Sequence, residues 1–487
     1  MVVVGHGQHE EEDEENWFWW QRGLVHAPRA VVVWDHTDES RESRGIVEPG
    51  RKVTWSELFL DLVLVTNVAK LGEAYQSGAL SLMEVALLYR TIHNCWWSTT
   101  KYAMRFHTDD LPHKAKTGLC MFFLLFAGLR LGAPFGPAAR QVALAAGLYH
   151  AVMAASVWRV VASIPEARRH MTRDALVPSI LEAAGCLVAS RLEAHVFGLL
   201  TVLAFFELFW SALVHYAWET LPKKERIPVH IHHLVERRGC IRLILMGEVV
   251  TGCAVSTRIT PESVASVSLA FLSIFNMKLL AFDVDSVPSR RHAVRIGVFA
   301  RPLIWLEAAF AFDFCMGIAG SCVRIILSML TSDITSVRAE EAHVLLCASV
   351  AAAVLCLTLE HLMHDQAHVL GTRHCWTTWG RPSHKDHFEE KDDDDDDLAQ
   401  ARRIFYFQVA SEAGIFVSCV ALAAYCSSIE RDYEVLLVLA SIAALTTLAV
   451  VVNLLDEVHL IWTRASAGSA AERRALATTP RELSLVG

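Results

Sequence analysis

Apolar blocks of about 20 residues, separated by short polar connections, repeat along the whole chain from residue 54 to residue 455. Twelve such blocks stand out, at about 54–72, 80–100, 117–135, 141–163, 175–192, 196–218, 239–257, 262–284, 298–328, 342–362, 404–426 and 433–455. That length lets a helix cross a ~30 Å hydrocarbon core. The pattern therefore predicts an all-α fold, a polytopic transmembrane helix bundle of about twelve spans. The fifth block is short and carries Pro178 and Glu182, and the ninth is long enough to tilt or kink.

The connections test this count through their charge. Those after even-numbered blocks hold Lys101, Arg105, Lys114 and Lys116, then Arg168, Arg169 and Arg173, then Lys223, Lys224, Arg226, Arg237 and Arg238, then Arg290, Arg291 and Arg295. Those after odd-numbered blocks hold only Arg140, Arg191, Arg258, Arg338 and Arg431. By the positive-inside rule both termini face the cytoplasm. The expected organisation is a polar, acidic leader at 1–50, a first transmembrane half at 51–220, a second at 221–463 and a cytoplasmic tail at 464–487. The second half includes a cytoplasmic acidic and histidine-rich loop at 363–403. "WFWW" (Trp17–Trp20) in the leader reads as an interfacial anchor or a segment docked on the cytoplasmic face.

Composition agrees with a membrane protein: 53% of the 487 residues are hydrophobic and the mean hydropathy is +0.33. The formal charge of −9 is concentrated in "HEEEDEEN" and in "EEKDDDDDD" at 389–397, two solvated runs that offer no nucleic-acid surface. Most of the twelve cysteines lie inside apolar blocks and none forms a CxxC pair, so they read as small buried hydrophobes. The N-terminus lacks a basic region followed by an apolar core, so the first span is expected to direct insertion without a cleaved signal.

Ionisable residues inside the blocks are the candidate chemistry, because each costs on the order of 2.5–3.5 kcal/mol to insert. They include Glu57, Asp61, Glu84, Arg90, Arg130, Glu207, Arg242, Glu248, Lys278, Asp283, Glu307, Asp313 and Glu412. Glu57 and Asp61, four residues apart, share a helix face. With Glu248 they are expected to face one polar cavity as a proton or cation site, unless Arg90 or Arg242 neutralises them as a structural pair. A supporting charge network at the cytoplasmic ends is expected from Arg105, Asp109, Asp110, His233, Glu236 and Arg237. The clusters His230, His232, His233 and His361, His364, His368 have metal-compatible spacing. They lie at cytoplasmic ends, however, where histidine is cheap, so no metal and no cofactor is expected. No glycine-rich phosphate loop, nucleophile elbow or HExxH occurs.

Three stretches, "WSELFLDL", "WWSTTKYAMRFHTDDL" and "HHLVERRGCIRLILMGEVVTG", together resemble the low temperature requirement A family of polytopic membrane proteins. That family's pattern is E-L-F-x-D-L in the first span, W-W-x-x-x-x-Y-x-x-R-F-x-x-D-D after the second, and H-L-x-E-R leading to G-E. The likeness runs from Arg51 to the ninth block, where Arg301 stands in place of a family histidine. The resemblance supplies a relative and no substrate. "YAMRFHTDD" and "MKLLAFDVD" end helix pairs similarly, as two related six-helix halves or as chance similarity would have it.

The sequence thus favours a secondary transporter or channel acting on a small ion or small molecule in the lipid bilayer, with no nucleic-acid partner. A homo-oligomer is compatible with this. One alternative is an intramembrane enzyme that assembles a metal or acid–base site from His233, Glu236 and Glu248. The other is a non-catalytic scaffold or sensor that recruits partners through its leader and acidic loop.

Overall fold

Short polar signals set where the apolar blocks become helices. Helix α1 (Trp55–Gln76) opens on a capping box: Glu57 N–H donates to Thr54 Oγ1 at 3.3 Å and Thr54 N–H donates to Glu57 Oε2 at 2.8 Å. Helix α2 (Leu82–Ala103) starts the same way on Ser81 and Glu84. Asp110 caps α3 (Leu111–Gly128), accepting from His113 N–H at 3.0 Å. There follow α4 (Phe135–Ser163), the one-turn α5 (Arg168–Met171), a wide π turn at Thr172–Leu176, α6 (Val177–Ala189) and α7 (Val196–Trp218). The remaining long helices are α8 (Ile231–Cys253), α9 (Pro261–Phe282), α10 (Ala300–Thr331) and α11 (Ala339–Met363).

This computed structural model describes residues 27–31, 33–34, 46–47, 51–108, 110–218, 225, 227–254, 259–282, 292–294, 300–331, 338–364, 414–422, 437–448 and 450–451. The leader's "WFWW", both acidic runs, the 365–403 part of the loop, the tail, and Asp109, Asp283, His368 and Glu412 lie outside these residues. Ten expected spans coincide with α1–α4 and α6–α11, and helix also occupies 414–422 and 437–448 within the last two. Among the described residues, five helices are long and apolar enough to cross a membrane: Phe135–Ser163, Val196–Val214, Pro261–Phe282, Ala300–Met329 and Glu341–Met363.

The polarity of α7 is inverted relative to a water-soluble helix. On α7, Val202, Phe205, Phe209 and Leu213 form an exposed stripe, each at least 49% accessible, while Leu200, Ala204 and Glu207 are buried. The i, i+3, i+4 spacing puts the apolar residues on the outer face and the carboxylate inside. Such a surface suits lipid and would be a liability in water.

The described residues fall into two compact units, Met1–Leu71 with Leu80–Ile241, and Gly72–Ala79 with Arg242–Gly487. The divide falls inside α8, where the sequence reading set the halves at 220/221. In the first unit α4 is central, packing against α2, α3, α6 and α7. A two-residue strand, β1 (Arg29–Ala30), pairs antiparallel with Phe106–His107 directly after α2, so part of the leader is docked there. Val33–Trp34 pairs with Ile46–Val47 in a second small ribbon. In the second unit α10 and α11 form the principal pair and α9 packs on α10.

Candidate functional site

The two acidic residues of α1 meet two basic residues of α8 in a matched ladder. His233 Nε2 lies 3.1 Å from Glu57 Oε1, and Arg237 Nη2 donates to Asp61 Oδ1 at 2.8 Å. Both pairs have four-residue spacing, so one face of each helix presents both partners in register. The two pairs differ in surroundings. The Asp61 and Arg237 side chains are both fully buried, whereas Glu57 keeps 11% exposure.

Asp61 is held from a second side, since Trp96 Nε1 on α2 donates to Oδ1 at 2.7 Å. The Trp96 ring lies beneath two guanidinium groups, with Arg237 at 5.5 Å and Arg238 at 5.9 Å from its centroid. Arg238 Nη1 approaches His93 Nε2 at 3.4 Å, and His93 packs on Trp96. Asp61 Oδ2, His233 Nδ1, and the Nε and Nη1 donors of Arg237 make no hydrogen bond with the described protein groups. Asp61 Oδ2 keeps acceptor capacity, and Arg237 Nε and Nη1 keep N–H groups to donate.

Glu57 does double duty. Its Oε2 closes the capping box with Thr54, and its Oε1 faces His233 and lies 3.7 Å from Arg51 Nη2. Arg51 donates to the carbonyls of Ala103 and Phe106, and Val53 N–H donates to Glu236 Oε2 at 3.1 Å. Residues 51–54 therefore strap the start of α1 to the end of α2 and to α8. Burial lowers the Arg51 pKa from its ordinary value, while the Glu57 charge opposes that shift.

Several sequence expectations change here. Arg90 and Arg242 are not the compensating cations for the α1 carboxylates. Arg90 donates to the Ala204 carbonyl, and Arg242 pairs with Glu360 at 2.6 Å and lies 3.8 Å from Asp313. The expected network of Arg105, Asp110 and Arg237 separates into three different pairs: Arg105 with Asp174 at 2.9 Å, Asp110 with Arg159, and Arg237 with Asp61. Glu57, Glu84 and Arg130 stand at helix ends instead of deep in spans, the first two as capping-box residues and Arg130 just past α3. Glu248 stands fifteen residues beyond His233 on α8, and its partner is Arg324 in the second unit, at 3.6 Å. Arg324 also lies 3.8 Å from Glu73. Glu57 and Asp61 find their partners within the first unit and Glu248 within the second.

Two of the clustered histidines accept from nearby backbone. His230 Nδ1 accepts from His233 N–H at 3.0 Å, and His364 Nδ1 accepts from Ala293 N–H at 3.1 Å. Among the described residues no group of three His, Cys, Asp or Glu side chains is arranged to hold a metal ion. Sequence reasoning missed Arg51, His93 and Arg238. The legible signals were Arg238 beside Arg237 in "HHLVERRG" and Trp96 at the head of "WWSTTKY".

The three motif stretches thus converge on one place: Glu57 and Asp61 from the first, Trp96 from the second, His233, Glu236 and Arg237 from the third. The profile of the family described as "Bacterial low temperature requirement A protein (LtrA)" matches residues 52–471. The chain belongs to the low temperature requirement A family. No curated protein and no solved structure shows a significant match. Family membership and the outward-facing apolar helices make it a multi-pass protein of the lipid bilayer.

Proposed function

We propose that this membrane protein is a proton- or cation-coupled secondary transporter or channel, with the α1–α8 ladder at its working centre. The observation that carries the reading is the chemical asymmetry of the two rungs. Glu57 faces a histidine, the residue type best suited to passing a proton between groups. Asp61 instead accepts from the Arg237 guanidinium, and Trp96 fixes it further. Glu57–His233 is the exchanging pair, and Asp61–Arg237–Trp96 is the frame that positions it. Glu248, with Arg324 and Glu73, is the corresponding ion-handling candidate of the second unit.

The architecture proposed with this function has about twelve spans in two related halves, with both termini cytoplasmic. Contacts inside each unit support the alternation. Arg105 after the second span meets Asp174 after the fourth, and His170 accepts from Ile227 N–H after the sixth. On the other parity, Arg140 after the third span meets Glu193 after the fifth, and Tyr75 at the end of the first donates to Glu341 at the start of the tenth. These contacts join connections that the count assigns to the same side.

Flux across proteoliposomes is the test, read as pH-dependent proton and monovalent-cation movement. Glu57→Gln retains an amide able to close the capping box and is expected to abolish the pH-dependent component while the protein still folds. His233→Gln is expected to do the same. Unchanged flux per folded molecule in both variants would make the ladder a scaffold and remove the transport reading.

A further inference from the structure

Two glutamates from neighbouring helices meet in the interior of the first unit, away from the α1–α8 ladder. Glu182 of α6 has the Glu207 carboxyl of α7 as its hydrogen-bonding neighbour. Glu207 in turn pairs through Oε1 with the Lys101 ammonium of α2, and Ser211 Oγ makes a weak second contact to the same oxygen at 3.5 Å. All three side chains line one small cavity, which Ser98 and Ser179 also border and which has room for about one water. Lys101 keeps 12% side-chain exposure, Glu207 5% and Glu182 4%.

An ionised carboxylate can only accept hydrogen bonds. Two ionised carboxylates in contact therefore have no hydrogen to share, and in a dry interior their repulsion is poorly screened. A hydrogen bond between two carboxyls requires that one of them hold a proton.

The surrounding groups do not supply that hydrogen in its place. His150 of α4 brings Nδ1 to 3.0 Å from Glu182 Oε2 but makes no hydrogen bond there. Arg105 in the cavity wall is paired with Asp174 of the π turn, and Arg159 of α4 with Asp110. Arg90 of α2 donates to the Ala204 carbonyl. The nearby thiols are Cys95 and Cys186.

Charge points to the same count. One carboxylic acid, one carboxylate and the Lys101 ammonium make a neutral set. Ionising both carboxyls would leave one negative charge over, and an uncompensated charge is costly in an apolar interior. Protonating both would strip Lys101 of its partner at the same kind of cost.

We infer that Glu182 and Glu207 form a carboxyl–carboxylate pair that binds one proton between them, with Lys101 as the counter-ion that holds the pair at one. Its ligand is a proton, one per chain, and the proton belongs to the pair and not to either residue. The inference stands on the contact, the shared cavity and the ammonium, and does not depend on the transport reading. It gives the short, proline-bearing α6 a reason to bury a glutamate.

Infrared spectroscopy of the full-length protein in lipid nanodiscs at neutral pH tests it, with a heavy-carbon label in the glutamate carboxyls to single out their carbonyl stretch. The folded wild type is expected to show a protonated-carboxyl band that shifts with the label. Glu182→Gln and Glu207→Gln are each expected to lose that intensity, since either leaves a lone carboxyl beside Lys101. A wild type without a label-sensitive band overturns the inference. So does full intensity in either folded variant, which would put the proton on one residue alone or elsewhere in the chain. Should a glutamine variant fail to fold, the aspartate variant at the same position keeps a carboxyl on a shorter arm and is expected to change the band. A band unchanged in that variant overturns the inference equally.

Discussion

Glu57 and Asp61 stand one turn apart and yet answer to different physics. The signature for Glu57 was in the sequence: Thr54-Trp-Ser-Glu57 is a Ser/Thr-x-x-Glu box, and Ser81-Leu-Met-Glu84 repeats it at α2. Hydropathy alone runs across such caps, which is why both glutamates looked like mid-span charges. The partners were not legible, because His233 and Arg237 lie 176 residues away in sequence. Only the fold could choose between them and Arg90 or Arg242. The difference is measurable. Asp61→Asn leaves Arg237 buried beside a neutral amide, and breaking a buried pair in this way costs about 3–5 kcal/mol. Glu57→Gln preserves the cap and is expected to cost ~1 kcal/mol or less. Thermal unfolding in detergent is expected to rank Asp61→Asn well below Glu57→Gln, and the reverse order would show that Arg237 draws its compensation from elsewhere.

At the scale of elements, the long helices were legible because a helix in lipid must satisfy its backbone internally, so apolar length alone reports it. Helix α8 shows the limit of that signal. Its apolar part was read from residue 239, but the helix begins at Ile231, because His233, Arg237 and Arg238 of the polar "HHLVERR" segment are buried against α1 and α2 instead of lying in a loop. Crossing geometry was equally hidden. In the second unit α8 and α10 approach at glycine: a Cβ on Gly320 would meet the Glu248 carbonyl carbon and the Val249 nitrogen at 3.2 Å, and one on Gly252 would meet the Gly320 oxygen at 3.0 Å. Backbone cannot swing away as a side chain can, so small residues are what the crossing requires. Gly247, on the same helix, has nothing within 4 Å of the place a methyl group would occupy. Gly320→Ala is therefore expected to lower the melting temperature. Gly247→Ala is expected to leave it unchanged or raise it, since alanine favours helix by ~1 kcal/mol. A Gly320→Ala protein that melts no lower than wild type would place the two helices further apart than this.

For the whole molecule, loop charge and contact parity bear on one quantity, the side of the membrane that each connection faces. Loop charge is a statistical bias that acts during insertion, whereas the Arg105–Asp174 and Arg140–Glu193 pairs are contacts in the folded protein. Their agreement is informative because an error of one span between Arg140 and Asp174 would put one member of each pair on the wrong face. The chain carries its own reporter. Cys375 lies in the long 363–403 connection, while the described cysteines are buried or half-buried within helices. A membrane-impermeant maleimide is expected to label Cys375 only after the membrane is opened from outside, and Cys375→Ser to remove that labelling. A cysteine introduced at Glu193, whose side chain is 76% exposed, is expected to label in intact cells. Labelling of Cys375 in intact cells together with protection of Glu193→Cys would invert the topology and place the Glu57–His233 rung at the outer end of α1. Labelling of both from one side would instead break the alternation between residues 193 and 375 and remove the twelve-span count, leaving the α1–α8 ladder to be judged on flux alone.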